Sequence, residues 1–236
     1  MTSTRLPGKV LLKIGEKPAL EYMINRIKQS NLIDEIVVAT TTNDSDLPII
    51  DLCAKIGCKH FRGSEEDVLL RVLDAAKSVS ADIIVELTGD CPFIDPEIID
   101  NVISLYFSGD YDYASNIVER TFPDGFDTQV FSVRSLEEVS RMTKDPIDRV
   151  HVSCYFYNNP RKFKLANFVA DPELTWPELR LTVDENADYR LMKLIDEKLG
   201  ESRGLFSARE IIALLKREPD LTEINRHIRA KELEDG

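Results

Sequence analysis

Two short apolar runs rich in β-branched residues punctuate the first half of the chain: Ile36-Val37-Val38-Ala39 and Ile83-Ile84-Val85-Glu86-Leu87. Runs of this length, with little polar alternation, predict strands buried on both faces. Helical spacing lies between and around them. Leu20, Ile24 and Ile27 mark a helix over 18–29, with Pro18 suited to its first turn. A second helix spans 47–56 and stops at Gly57, and Lys59-His60-Phe61 is a short strand. Ser64-Glu65-Glu66-Asp67 has the look of a capping box for a helix reaching Val79, and Asp95-Pro96 starts another that reaches Phe107.

Strands alternating with helices imply right-handed crossovers and a three-layer α/β fold with a mostly parallel sheet. Ligands in such sheets bind beyond the carboxyl ends of the strands. Thr40-Thr41-Thr42-Asn43 and Thr88-Gly89-Asp90-Cys91-Pro92 follow two strand ends and should share a cleft.

From about Tyr111 the rhythm changes. Residues 113–116, 128–133 and 163–168 read as strands, and 135–143 and 147–157 as helices, which suits a small mixed arm built on the main sheet. Residues 179–183 form another strand ending at Asp184. Helices follow over 188–199 and 207–217, the second with a capping box at Ser207 and Glu210. The charged residues 229–236 should fray. With no linker or repeat, residues 1–236 read as one domain, with about 111–168 as its smaller lobe.

With 43% hydrophobic residues the chain can bury a real core. A net charge of -12 disfavours nucleic-acid or anionic-membrane partners, yet leaves room for a local phosphate site. No apolar run is long enough for a membrane span and the amino end is not a signal peptide, so a cytoplasmic address is the default. Cys53, Cys58, Cys91 and Cys154 lack zinc-ribbon spacing and read as buried thiols.

The densest local chemistry is Ser3-Thr4-Arg5-Leu6-Pro7-Gly8-Lys9. Gly8 allows close backbone approach, Arg5 offers a planar fork and Lys9 a point charge, the usual ways to hold phosphate oxygens. A solvated surface loop would carry the same residues. Asp90 and Asp184 both end strands, and two carboxylates brought together from distant strand ends suit a hard cation. Asp184 reads equally well as a helix cap, whereas Gly89-Asp90-Cys91-Pro92 suits a cap less.

Taken together, Ser3 to Leu11, Ile36 to Thr41, Thr88-Gly89-Asp90-Cys91-Pro92-Phe93-Ile94-Asp95 and Leu181-Thr182-Val183-Asp184 resemble the cytidylyltransferases that make CMP-activated sugars. That family includes the acylneuraminate and 3-deoxy-manno-octulosonate cytidylyltransferases. Arg62-Gly63-Ser64, Phe122-Pro123-Asp124-Gly125, Asp145-Pro146 and Arg149 to Tyr155 point to the branch named for spore coat polysaccharide biosynthesis protein F.

The resemblance covers nearly the whole chain. It implies a Rossmann-like, nucleotide-diphospho-sugar transferase-like fold and a homodimer whose partner's arm completes the acceptor pocket. It implies that CMP passes from CTP to a sugar or sugar acid, with release of pyrophosphate. Arg5 and Lys9 would hold the triphosphate, and Asp90 and Asp184 would bind Mg2+. Ser3, Thr40, Thr41, Arg62 and Ser64 would lie along the nucleotide, although a hydroxyl cluster after a strand also serves as local backbone capping. Asp124, Gln129, Arg149 and His151 would face the acceptor, with His151 equally readable as a core or interface residue.

Family members begin with a strand that runs into the phosphate loop, whereas this sequence starts within the motif. Either the start was assigned too late or the chain is shortened; a missing inner strand would leave unpaired backbone groups and an apolar trough, and a shortened chain should have low stability and weak or absent activity. An upstream extension of about a dozen residues, a strand plus its turn, should then restore both. Three other readings fit less of the sequence. One is a nucleotidyltransferase with another triphosphate or a phosphorylated acceptor. Another is a glycosyltransferase, which would favour Asp-x-Asp where this chain has Asp90-Cys91-Pro92. The last is a truncated, non-catalytic homologue.

Overall fold

The structure, a computed structural model, describes residues 5–200 and 205–229. A turn of 3-10 helix at Lys9–Leu11 leads into a small antiparallel hairpin of β1 (Lys13–Ile14) and β2 (Lys17–Pro18). The amphipathic helix α1 (Ala19–Ile27) follows. Then come β3 (Val37–Thr41), α2 (Leu47–Ile56), β4 (Lys59–Gly63), α3 (Val68–Ser78), β5 (Ile83–Glu86) and α4 (Pro96–Phe107). The arm contributes β6 (Tyr113–Ser115), β7 (Gln129–Ser132), α5 (Val133–Met142), α6 (Pro146–Val150), α7 (Cys154–Tyr157) and β8 (Leu165–Asn167). The helices α8 (Asn186–Leu199) and α9 (Ala208–Arg217) close the fold.

The α/β class holds, and the strand ladders are mixed. β3 pairs in parallel with β4, Val37 opposite Lys59 and Thr41 opposite Gly63. The second sheet has the order β5-β7-β6-β8; β7 is antiparallel to both neighbours, and β8 is parallel to β6. Period-two alternation sends Ile84, Tyr113 and Phe131 into a core with α3 and α5. It sends Val85, Ala114 and Val130 into a separate core with α4. These are the two outer layers of the three-layer fold.

Among the described residues no ladder joins β3 to β5. Ile36, Val37, Val38, Ile83 and Val85 are only half-buried there, despite being among the most strand-like residues in the sequence. Helix α1 spans the break. Leu20 and Ile24 pack in the cluster that includes Val38, while Met23 and Ile27 pack in the one that includes Val85.

Several elements differ from the sequence reading. Helix α3 is capped by Asp67, which accepts the Leu70 amide at 3.0 Å; Ser64 instead accepts the amide of Asp67. The single helix expected over 147–157 is two short ones, because Val152 adopts a φ of 50° between them. Residues 179–183 make only an isolated bridge, Arg180 opposite Asp124, because this segment is tethered to loops rather than laid along a strand. The capping box at Ser207 and Glu210 is present. Asp95 caps α4 through the Glu97 amide at 2.9 Å and also accepts the Ala208 amide at 2.6 Å, so one carboxylate serves two helices. No helix among the described residues is long and apolar enough to cross a membrane.

Candidate active site

The amino-terminal loop is a set of tight turns. Gly8 has a φ of 70°, a left-handed conformation that costs glycine least, and Lys9 and Leu11 donate their amides to the carbonyls of Leu6 and Gly8. Leu6 is buried in the same core as Phe93, Phe126, Leu181 and Val183, which seats this loop against the two segments that carry Asp90 and Asp184.

Those two segments are tied together by their backbones. Val183 donates its amide to the Asp90 carbonyl at 2.8 Å, and Leu181 and Asp124 are joined the same way at 2.7 Å. The order Leu179-Arg180-Leu181-Thr182-Val183-Asp184 alternates strictly. Its leucines and valine enter the core, and Arg180 and Asp184 pair on the other face. Asp184 does not cap α8. The cap position is Glu185, and Asp188 accepts the amides of both Asp184 and Glu185 at 3.0 Å, which leaves the Asp184 carboxylate available to the cleft.

Lys9 Nζ lies between the two aspartates, 2.8 Å from Asp90 Oδ2 and 2.6 Å from Asp184 Oδ1. Arg5 approaches Asp184 at 3.2 Å and Glu185 at 3.7 Å. Arg180 donates to Asp124 at 2.8 Å, pairs with Asp184, and lies 3.4 Å from Asp188. Arg120 makes a two-pronged contact with Asp127 at 2.8 and 2.7 Å.

The electrostatics follow from this packing. Burial alone would lower the Lys9 pKa and raise that of Asp184. The facing charges win: Lys9 sits above the ordinary lysine value, and Asp184 lies below the usual carboxylate range under Lys9, Arg180 and Arg5. Asp124 goes the other way. Burial and the neighbouring Asp127 push it up to about 6, against the pull of Arg180 and Arg120.

Arg5, Lys9, Asp90, Asp184 and Asp124 are therefore brought together. Ser3 lies outside the described residues. Thr40, Thr41, Arg62 and Ser64 form a separate group at the ends of β3 and β4. Both threonine hydroxyls donate to Asp46 at 2.7 Å, and Arg62 donates to the carbonyls of Thr41, Thr42 and Asn43 at 3.0, 2.6 and 3.1 Å. These contacts fix the loop after β3.

Gln129 lies in the arm and accepts from Tyr113 and Ser153, both at 2.6 Å. It stands opposite Glu86 in the β5–β7 ladder, four residues before Asp90. Arg149 pairs with Asp67 and donates to the Ser140 carbonyl at 3.1 Å; His151 ends α6 and is half-buried.

Sequence reasoning missed Arg180, Asp188 and Glu86. The alternation of 179–184 carried a signal for the first, since a charged residue within such a pattern shares a face with Asp184. Glu86 also left a trace, as the one acidic residue in an otherwise apolar strand.

The Asp90–Asp184 pair already holds a cationic atom between one oxygen of each carboxylate, and this hard-oxygen donor set fits Mg2+. Magnesium commonly takes one or two carboxylates and completes its shell with phosphate and water oxygens. Among the described residues, no group of three or more His, Cys, Asp or Glu side chains is arranged to hold a metal ion by itself.

Comparison with known proteins identifies the family. A family model described as Cytidylyltransferase matches residues 1–221. The chain is 37% identical over 227 residues to spore coat polysaccharide biosynthesis protein SpsF of Bacillus subtilis, covering 93% of this chain and 92% of that protein. A 3-deoxy-manno-octulosonate cytidylyltransferase of Pelobacter propionicus is 36% identical over 103 residues, 43% of this chain and 39% of that one. The solved structure of a cytidylyltransferase from Leptospira borgpetersenii superposes with a TM-score of 0.89 at 33% identity, covering 98% of this chain and 95% of that chain.

Proposed function

The chain belongs to the cytidylyltransferase family, and from that premise we propose that it transfers CMP from CTP to a sugar or sugar acid for surface polysaccharide or glycan synthesis. The observation that carries this reading is the contact of Lys9 with both Asp90 and Asp184, with Arg5 alongside.

In the reaction, an acceptor hydroxyl loses its proton and attacks the α-phosphorus. The bond from that phosphorus to the oxygen bridging the α- and β-phosphates breaks, and pyrophosphate leaves. Such chemistry is largely positioning and charge neutralisation. Arg5 and Lys9, in the turn around Gly8, hold the triphosphate and offset the charge that builds on the leaving group. Arg180 keeps the Asp184 carboxylate aimed at the cleft. Mg2+ bound by Asp90 and Asp184 would supply further neutralisation of phosphate oxygens. The loop after β3, braced by Arg62 and Asp46, flanks the base and ribose. Asp124, Gln129, Arg149 and His151 serve the acceptor side.

Residues 111–168 form the acceptor and dimerisation lobe. The exposed side chains of Met142 and Ile147 offer apolar surface for a second copy.

The deciding experiment measures pyrophosphate release with each of the four nucleoside triphosphates, Mg2+ and a panel of sugars, sugar acids and sugar phosphates. Release that requires CTP and a non-phosphorylated sugar or sugar acid supports the proposal. A preference for another nucleotide or for a phosphorylated acceptor redirects it. An inert chain that also shows no thermal shift with CTP and Mg2+ overturns it.

A further inference from the structure

Two kinds of cation meet Asp184. Arg180 is embedded: its side chain is 9% exposed, and its planar fork is shared among Asp124, Asp184 and Asp188. Lys9 is different. Its side chain is 17% exposed, and its charge is compact and carried on a flexible four-carbon stem. The two oxygens it holds, Asp90 Oδ2 and Asp184 Oδ1, are the pair that faces a single point. On the other side of Asp184, Oδ2 is taken by Arg5 and Arg180.

We propose that Lys9 is an exchangeable counter-ion, which keeps the metal's place between Asp90 and Asp184 in the free protein and leaves it for the triphosphate when the metal enters. This rests on the cytidylyltransferase reading above. Lys9 and a divalent cation need the same two oxygens, so they exclude one another. Two carboxylates this close repel unless a cation lies between them, and the ammonium supplies one until a stronger one arrives.

The exchange makes metal and nucleotide binding cooperative. A triphosphate gives Lys9 somewhere to go, which lowers the free-energy cost of vacating the aspartates. By linkage, the metal strengthens nucleotide binding by the same factor. Arg180, locked on three carboxylates, stays in place and keeps Asp184 from turning away.

The test is a titration with Mn2+ followed by electron paramagnetic resonance, on the full chain without nucleotide. Lys9→Gln should bind Mn2+ roughly 10-fold more tightly than wild type. The same or weaker affinity overturns the proposal. Asp90→Asn separates the two layers of argument. If it retains wild-type Mn2+ affinity, the metal assignment in the underlying reading fails. If it loses binding while Lys9→Gln gains nothing, only the exchange fails.

A measurement on the unaltered chain guards against a variant that folds poorly. With 13C-labelled lysine, saturating Mg2+ should move the Lys9 ε-carbon resonance. A signal that stays fixed while Mg2+ is bound also overturns the exchange.

Discussion

Val183 and Asp90 are joined through their backbones, the amide of one to the carbonyl of the other at 2.8 Å. This bond sets the register that delivers Asp184 to Asp90. The carboxylates come from positions 94 residues apart, yet they share one ammonium because neighbouring main-chain atoms are clamped, so their meeting does not depend on side-chain reach.

Asp184→Asn should therefore cost activity far more than stability. Each cation around it keeps another acidic partner: Lys9 has Asp90, Arg5 has Glu185, and Arg180 has Asp124 and Asp188. Pyrophosphate release should fall by at least about 100-fold, as expected for loss of a metal ligand. Urea unfolding should shift by no more than about 1–2 kcal/mol.

Removing Arg180 reverses that balance. Arg180→Gln strips the shared partner from three carboxylates, two of them in contact with it at 2.8 and 3.4 Å. Breaking a buried pair from one side costs about 3–5 kcal/mol. The loss should be larger at pH 8 than at pH 5, because Asp124, already pushed up to about 6 and raised further without the guanidinium, takes up a proton at the lower pH. Urea midpoints at the two pH values check both the size and the direction.

Glu86 offers a pH prediction away from the phosphate site. One of its carboxylate oxygens is sealed from water without a hydrogen-bond partner, and burial pushes the carboxyl pKa up to about 7, against a hydrogen bond with Ser153. An unfolded glutamate releases its proton near 4.5. Between those values the folded chain holds a proton that the unfolded chain has lost, so stability falls as pH rises from about 4.5 to 7 and is flat beyond. Glu86→Gln removes that slope. It should be more stable than wild type at pH 8, by about 1–3 kcal/mol, with the gap closing by pH 5. Urea melts across this range would show it, and parallel curves for the two proteins would refute it.

The parts of the fold legible in the sequence were those set by local chemistry. The apolar runs before Thr40 and Thr88 became β3 and β5, the Asp95-Pro96 pair started α4, and the box at Ser207 and Glu210 started α9. Converging strand ends suggested the meeting of Asp90 and Asp184, but the structure achieves it with a backbone bond from Val183 to Asp90 on a segment that is not a strand, and with Lys9 reaching in from a turn. What stayed hidden was non-local or conformationally rare. Nothing in the residues of β7 announces that it inserts between β5 and β6. The positive φ of Val152, which splits the helix expected over 147–157, is a conformation a β-branched residue seldom takes. Arg180 was visible as a polar position in an alternating segment, but only the bridge to Asp124 reveals which way that face points.

The interruption between β3 and β5 hands the spacing of the cleft to side chains rather than to main-chain bonds. Among the described residues, the slab carrying Thr40 and Arg62 meets the slab carrying Asp90 through side chains of α1 on one face and α3 on the other, with no backbone ladder between them. Dispersion contacts are non-directional and tolerate sliding that a row of hydrogen bonds would resist. The distance from Thr40 to Asp90 is thus set by how the side chains of α1 and α3 fill the space between the two slabs, so core substitutions in those helices reach the cleft without touching it.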